Sequence, residues 1–345
     1  MEEQETPKES TTRLKDWKAV IARYQGADIR RSLFQLISTM AMLIVTLVIM
    51  HKMIDRAWWV TALLAIPAAG LMVRVFIIMH DCGHGSFSPW PTFNDAIGFI
   101  TGVLTFTPYA QWRREHAMHH ASSGDLDHRG YGDVDTLTVR EYLARTKWGR
   151  FKYRLFRNPA VLLGLGPLHM IILQRFRTKG VATGKVQLSS VWMTNIAIGG
   201  LAATFILAAG YKSVVFIYLP TYYLAAATGV WLFYVQHQFE DAYWESREKW
   251  DYATAAVHGS SHLRLPKVLQ WFTGNIGLHH VHHLGPRIPN YRLQKAHDEN
   301  ALFHEAPVMT IKLGMKALRL TLWDEQNRQM IRFRDLRRSI SAGQR

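Results

Sequence analysis

The 345-residue chain is 48% hydrophobic, enough for one large domain, two ordinary ones or several membrane spans, and it carries a formal net charge of +15. A single cysteine, Cys82, excludes an internal disulfide framework. No helix-turn-helix, zinc-finger or RNA-recognition signature accompanies the positive charge. Its basic residues flank apolar segments instead of forming one stripe, so they orient the chain in a membrane and do not make a nucleic-acid surface.

In chain order, residues 1–32 are strongly charged and predict a cytoplasmic segment with no cleavable signal peptide. Within them, DWKAVIARYQGADIRR sets Trp17, Val20, Ile21 and Tyr24 at helical spacing opposite basic residues. That pattern suits a helix lying on a membrane and, equally, an ordinary surface helix. Four apolar segments are long enough, or nearly so, to cross roughly 30 Å of hydrocarbon. They are Leu33–Met50, Trp58–Met79, Val191–Gly210 and Val214–Val235, the last two joined by a tight turn at Tyr211 and Lys212. Ala96–Ala110 and Pro159–Leu173 fall short of the ~20 residues of a spanning helix and predict re-entrant or interfacial segments. Arg154 and Arg157 precede the second and Arg175 and Arg177 follow it, so it enters and leaves on one face.

By the Lys/Arg excess, the amino terminus, His80–Ser190 and everything after Val235 share the cytoplasmic side. Lys52, Arg56 and Lys212 then lie outside, with Trp58 and Trp59 in an outer aromatic belt. Arg74 stands six residues before His80, about 9 Å along a helix, and is expected to snorkel to the cytoplasmic surface. Ile311–Trp323 and the arginine-rich tail to Arg345 look helical. The expectation is an all-α integral membrane protein of four transmembrane helices, with its amino and carboxyl termini cytoplasmic. It forms one domain over 1–345, with a core of about 33–310 and a basic helical segment over about 311–345.

The 17 histidines are unevenly spread. HDCGH puts His80 and His84 at i, i+4, on one helix face, as chelation of one metal requires. HAMHH (His116, His119, His120) and HHVHH (His279, His282, His283) both repeat i, i+3, i+4, while His280 points elsewhere on its helix. All three groups fall on the same predicted membrane face. Neutral imidazole suits iron, zinc, copper and nickel, so the ligand type does not name the metal.

The order of these boxes and flanks such as HDCGHGSF, HAMHHASSGDLDHRG and NIGLHHVHHLGPRIPNYRL resemble the membrane-bound fatty acid desaturases, particularly the bacterial acyl-lipid branch. The resemblance runs from the first crossing to about Arg292. It implies a cytoplasmic helical cap over the crossings, holding a diiron centre ligated by the eight box histidines, and a bacterial inner membrane as the location. The family draws one more ligand from just beyond the last crossing, where YVQHQFED supplies His237. A structural zinc site needs only four ligands, usually with thiolates, so two metals sharing nine histidines is the economical reading. Redox-active iron with open positions reduces dioxygen and removes hydrogen from an unactivated methylene, which an acyl chain in the membrane supplies.

Around the boxes, Asp81, Glu115, Asp125, Asp127, Asp133, Glu240 and Asp241 are candidates to orient imidazoles, and Asn275 stands one turn before His279. Pro286 and Pro289 stiffen GPRIPNY to pin the third box, with Arg287 a head-group or partner contact or simply part of a stiff turn. Cys82 faces away from its box histidines and reads as a packing residue. His280 is expected to support the ligands from outside, and His51, His128, His169, His258, His262, His297 and His304 have no partner at ligand spacing. With no Gly-rich nucleotide fingerprint, iron–sulfur cysteine set or fused haem domain, electrons must come from a separate acidic carrier such as a ferredoxin or flavodoxin. A lipid, sterol or carotenoid hydroxylase or ketolase on the same scaffold remains open. A metal transporter does not fit, because its ligands belong near the bilayer midplane and these collect at one end. The acyl chain sits on a glycerolipid, coenzyme A or a carrier protein, with the lipid-linked form preferred.

Overall fold

The computed structural model describes residues 16–130, 134–173, 184–336 and 338. Asp133, Arg175, Arg177 and most of the arginine-rich tail lie outside the described residues.

The chain starts with the short helix α1 (Trp17–Ala22), whose Ile21 packs into the same core as Val281 and Leu284. Asp28 caps α2 (Ile29–Met53) by accepting from the Arg30 and Arg31 backbone N–H groups. A short turn leads into α3 (Trp58–His84), which carries Pro67 inside it. Gly85, in the left-handed region at φ 67°, ends α3 with its N–H turned back to the carbonyls of Asp81 and Cys82. Helix α3 is the axle of the fold, and most residues from Ala68 to Cys82 are buried.

The apolar stretch expected as one re-entrant piece over Ala96–Ala110 is instead divided. Helix α4 (Pro91–Leu104) stops, the chain turns through Phe106 at φ 53°, and α5 (Tyr109–Ser122) begins. Two glycines make the turn-back close: a Cβ at Gly98 would lie 2.3 Å from the Tyr109 ring, and one at Gly102 would lie 2.6 Å from the Thr107 carbonyl. Beyond α5 come α6 (Val139–Ala144), α7 (Lys147–Phe156) and α8 (Pro159–Gly164). Helix α7 exposes Trp148, Phe151 and Leu155 at i, i+3, i+7, an amphipathic face.

The second long pair is α9 (Lys185–Ser213) and α10 (Leu219–His237), linked by a π-helical turn over Val214–Tyr218. Gly210, at φ 73° and ψ 159°, breaks the helix. The Phe205 and Tyr218 rings lie 5.9 Å apart, whereas thirteen residues of straight helix would put them about 20 Å apart. So the chain reverses here, at the turn expected around Tyr211. Ile29–Met53, Trp58–His84 and the stretch Lys185–His237 are long and apolar enough to cross a membrane. The two bends meet: Lys212 Nζ is 2.6 Å from Asp55 Oδ1, and His51 Nδ1 is 2.8 Å from Ser213 Oγ. At the opposite end, His80, His84 and His237 come together.

Arg74 does not snorkel. It is 7% exposed, donates Nε–H to Thr39 and N–H groups to Gln35 and the Trp271 carbonyl, and lies 4.2 Å from the centre of the Trp271 ring. The segment just before the third box covers it, so its charge is stabilised by amide, hydroxyl and ring partners without reaching for water.

The remaining chain builds a layer over the histidine end. It contains α11 (Tyr252–His258), α12 (Lys267–Phe272), α13 (His279–Leu284), α14 (Asn290–Glu299) and α15 (Ile311–Ala317). The protein is mostly helical, as expected, and this layer adds two small sheets of two- and three-residue strands. Strand β1 (Leu137–Thr138) pairs in parallel with β4 (Leu322–Asp324), which pairs antiparallel with β5 (Gln329–Ile331). Strand β2 (His262–Arg264) runs parallel to β3 (Val308–Thr310). Ile311–Trp323 is therefore no single helix. Asp324 accepts from the backbone of Gln326 and Asn327, and Arg328 takes φ 52°, which makes a turn between β4 and β5. Beneath α10, the fully buried Arg157 donates to Tyr234 Oη (2.9 Å), Gln238 Oε1 (2.8 Å) and the carbonyls of Asp135 (2.8 Å) and Leu320 (2.9 Å).

Candidate metal centre

Four elements deliver the histidines. The last turn of α3 carries His80 and His84; α5 carries His116, His119 and His120; the end of α10 carries His237; α13 carries His279, His282 and His283. Their nitrogens gather in two all-histidine quartets, His80, His84, His116 and His282 in one, and His119, His237, His279 and His283 in the other. Within each quartet the ligand atoms lie within 4.8 Å of one another. His120 stands between them: its Nε2 is 3.2 Å from that of His116 and 3.0 Å from that of His282, and its ring stacks on His283 at 4.2 Å. All nine residues expected as ligands therefore converge, the two copies of i, i+3, i+4 interlocking from α5 and α13.

The donor set fits metal ions on two counts. First, Nε2 atoms face each other across the centre: His80 to His282 at 3.1 Å, His119 to His237 at 3.1 Å and His237 to His279 at 2.9 Å. A neutral imidazole has one N–H. His237 Nδ1 lies 3.1 Å from the Gly259 carbonyl, which takes that proton and leaves the Nε2 lone pair pointing inward. The buried Nε2 atoms of His84 and His283 have no hydrogen-bond partner, and a cation satisfies such lone pairs where water is excluded. Second, burial, and then repulsion from neighbouring imidazoles, holds His116, His120, His279, His282 and His283 well below the usual histidine pKa. They are neutral at physiological pH, the state that ligates.

Of the expected supporting acids among the described residues, only Asp81 touches a box histidine. Its Oδ1 is 3.5 Å from His80 Nδ1, and its Oδ2 accepts from the Asn290 backbone (3.0 Å) and side-chain amide (2.9 Å). That ties the first box to GPRIPNY, so the stiff segment does pin the site. Glu115 accepts from Gln111, Asp125 holds His128 and Arg247, Asp127 accepts from the Arg247 backbone, and Glu240 and Asp241 are exposed. Asn275 donates to the Asn290 carbonyl. Cys82 is buried among apolar side chains. His280 lies outside both quartets, with its Nε2 3.1 Å from His297 Nδ1, and the His262 ring is 4.6 Å from that of His297. His297 is thus a partner that spacing alone could not reveal. Equally invisible in sequence was the Gly259 carbonyl behind His237. Trp112, stacked on His116 at 4.5 Å, was signalled only by its place one turn earlier on α5.

Asp81→Ala is expected to lower metal affinity and turnover by roughly 10–100-fold, the usual cost of losing a partner of a ligating histidine, as measured by metal content and product yield. Gly277 precedes α13 and accepts from the Leu263 N–H at 2.7 Å; a Cβ there would stand 2.5 Å from the Leu263 carbonyl. Gly277→Ala is expected to destabilise the fold by about 1–3 kcal/mol, read as a lower thermal unfolding midpoint.

Long apolar helices ending in nine converging imidazoles define a membrane protein whose site is made for metal. Residues 57–311 match the family model for fatty acid desaturases. A fatty acid desaturase of Bacillus subtilis (strain 168) is 42% identical over 318 residues, which covers 92% of this chain and 90% of that protein. The chain belongs to the fatty acid desaturase family and is an oxidoreductase of fatty acyl chains. It is also similar to the sn-1 oleoyl-lipid 12-desaturase of Anabaena variabilis, 26% identical over 70% of this chain and 68% of that one. A chloroplastic omega-6 fatty acid desaturase of Glycine max is 28% identical over 71% of this chain and 57% of its own length. These relatives favour desaturation over the hydroxylase or ketolase reading.

Proposed function

We propose that the chain uses two iron ions and dioxygen to introduce a double bond into a methylene pair of a lipid-linked acyl chain. His80, His84, His116, His119, His120, His237, His279, His282 and His283 hold the irons. The observation that carries this reading is the pair of all-histidine quartets with His120 between them. Iron so held supplies the means to reduce dioxygen and oxidise an unactivated methylene. The chain's own part is positional. Neutral buried imidazoles fix the site, the Gly259 carbonyl and Asp81 orient His237 and His80, and burial of the ring edges keeps water away.

The four long helical segments Ile29–Met53, Trp58–His84, Lys185–Ser213 and Leu219–His237 are four crossings, with Gly210 at the second outer bend. The histidine end, the layer over it and both termini face the cytoplasm of a bacterial inner membrane, as the Lys/Arg excess supports. One desaturase domain spans 1–345, with its core over about 33–310. A separate acidic ferredoxin or flavodoxin brings electrons, steered by the charge of +15. The lipid-linked substrate is supported by the oleoyl-lipid desaturase among the relatives.

Gas chromatography–mass spectrometry of fatty acids from cells expressing the chain with a ferredoxin system tests this. A new unsaturated chain is expected only with the intact protein. Hydroxylated or keto products in its place would show that the reaction is wrong.

A further inference from the structure

At the histidine end of α2 the surface opens into a cavity of about 580 Å³. Four cations line it, Arg30 and Arg31 from the first turn of α2, Arg74 from α3 and Lys267 from α12, and no carboxylate does. Asp28 pairs with Arg31 at 3.6 Å, and Asp81 stands behind the lining residue Asn290. Among the described residues Arg74 has no carboxylate within ion-pair distance. Thr39, Gln35 and the Trp271 carbonyl take three of the five N–H donors of its guanidinium and leave two for an occupant. Four cations with only Asp28 ion-paired to one of them leave net positive charge round one space, which favours an anion there.

The cavity is also built for something amphiphilic. Phe34 lines it and is 73% exposed; Ile37, one turn further along the same α2 face, is 65% exposed. Directly past the cations, therefore, runs an apolar strip facing outward. Gln270 and Asn275 add amide groups to the lining, suited to the hydroxyls of a polar head.

We propose that this cavity binds the phosphate of an anionic glycerophospholipid headgroup, of phosphatidylglycerol chemistry, with the acyl chains lying along the Phe34–Ile37 face. A zwitterionic headgroup fits less well, because its own cation would meet four others in a lining that holds no carboxylate. The site is coupled to the metal centre: Asn290 lines the cavity and also donates twice to Asp81, beside His80. The inference rests on the proposed membrane placement, which sets the amino end of α2 at the bilayer surface.

Native mass spectrometry of the full-length, iron-loaded chain in neutral detergent tests it, titrated with dioleoyl phosphatidylglycerol, dioleoyl phosphatidylcholine, coenzyme A or inorganic phosphate. One phosphatidylglycerol per chain is expected to be retained in preference to phosphatidylcholine. Arg30→Gln, Arg31→Gln and Lys267→Gln replace exposed side chains and leave the fold intact. Each is expected to weaken retention about fivefold, the worth of one cation near an anionic head, with coenzyme A and phosphate displacing little lipid. Equal retention of the two lipids, or unchanged phosphatidylglycerol retention in the triple variant, would overturn the site. Displacement by equimolar coenzyme A would assign the cavity to a soluble phosphate carrier and overturn the lipid. No turnover is read, so a negative result leaves the desaturase reading standing; loss of that reading would show in the fatty acids instead.

Discussion

Cells expressing His282→Ala are expected to make no detectable product. His282 Nε2 lies 3.1 Å from His80 Nε2 and 3.0 Å from His120 Nε2, so it joins the first quartet to the histidine that stands between the two. Removing a partner that merely orients a ligand costs roughly 10–100-fold, and removing the ligand itself must cost more. Its neighbours cannot close the gap. His80 comes from α3, His120 from α5 and His282 from α13, three elements held apart by their own packing. Expression compared by immunoblot and product by gas chromatography–mass spectrometry check the result; product at more than about a tenth of the intact level would contradict it.

The largest effect on stability is expected at Arg157. Its guanidinium is fully buried and bonds Tyr234, Gln238 and the carbonyls of Asp135 and Leu320, thereby joining the end of α10 to the β1–β4 sheet. Arg157→Ala would empty a fully buried site and strip the charged donor from those acceptors, leaving Asp135 only Tyr153, Gln238 only Thr136 and Leu320 only Tyr234, a loss of about 3–4 kcal/mol. Arg157→Lys is expected to recover only part of it, since a lysine has three donors where the guanidinium spreads five in a plane. Gln238 directly follows His237, so the damage should reach the second quartet. Thermal unfolding in detergent, with iron content of the folded fraction, reads both effects.

The long helices and the ligand candidates were legible in the sequence because their signals are local. An apolar run of about 20 residues has few uses other than a span, and i, i+3, i+4 histidines share a helix face whatever the tertiary fold. The reversal was foreseen at Tyr211 and Lys212 for the same reason, one residue past the break at Gly210. What failed was non-local. Arg74 looked like a surface-seeking charge because nothing in its own helix shows that Trp271, Gln35 and Thr39 close over it. Asp125 and Glu115 stand beside boxes in sequence, yet their carboxylates face Arg247 and Gln111. The orienting group of His237 is the Gly259 carbonyl, which carries no residue signature at all. Ile311–Trp323 reads as one helix until β4 finds β1 and β5, pairings that depend on distant chain.

The central claim is that nine histidines hold two irons, and metal stoichiometry tests it most directly. Inductively coupled plasma mass spectrometry of the purified full-length chain should find about two irons per chain. His282→Ala and His283→Ala, one in each quartet, should each lower that figure. A single metal ion per chain, zinc in place of iron, or iron unchanged in both variants would contradict the account.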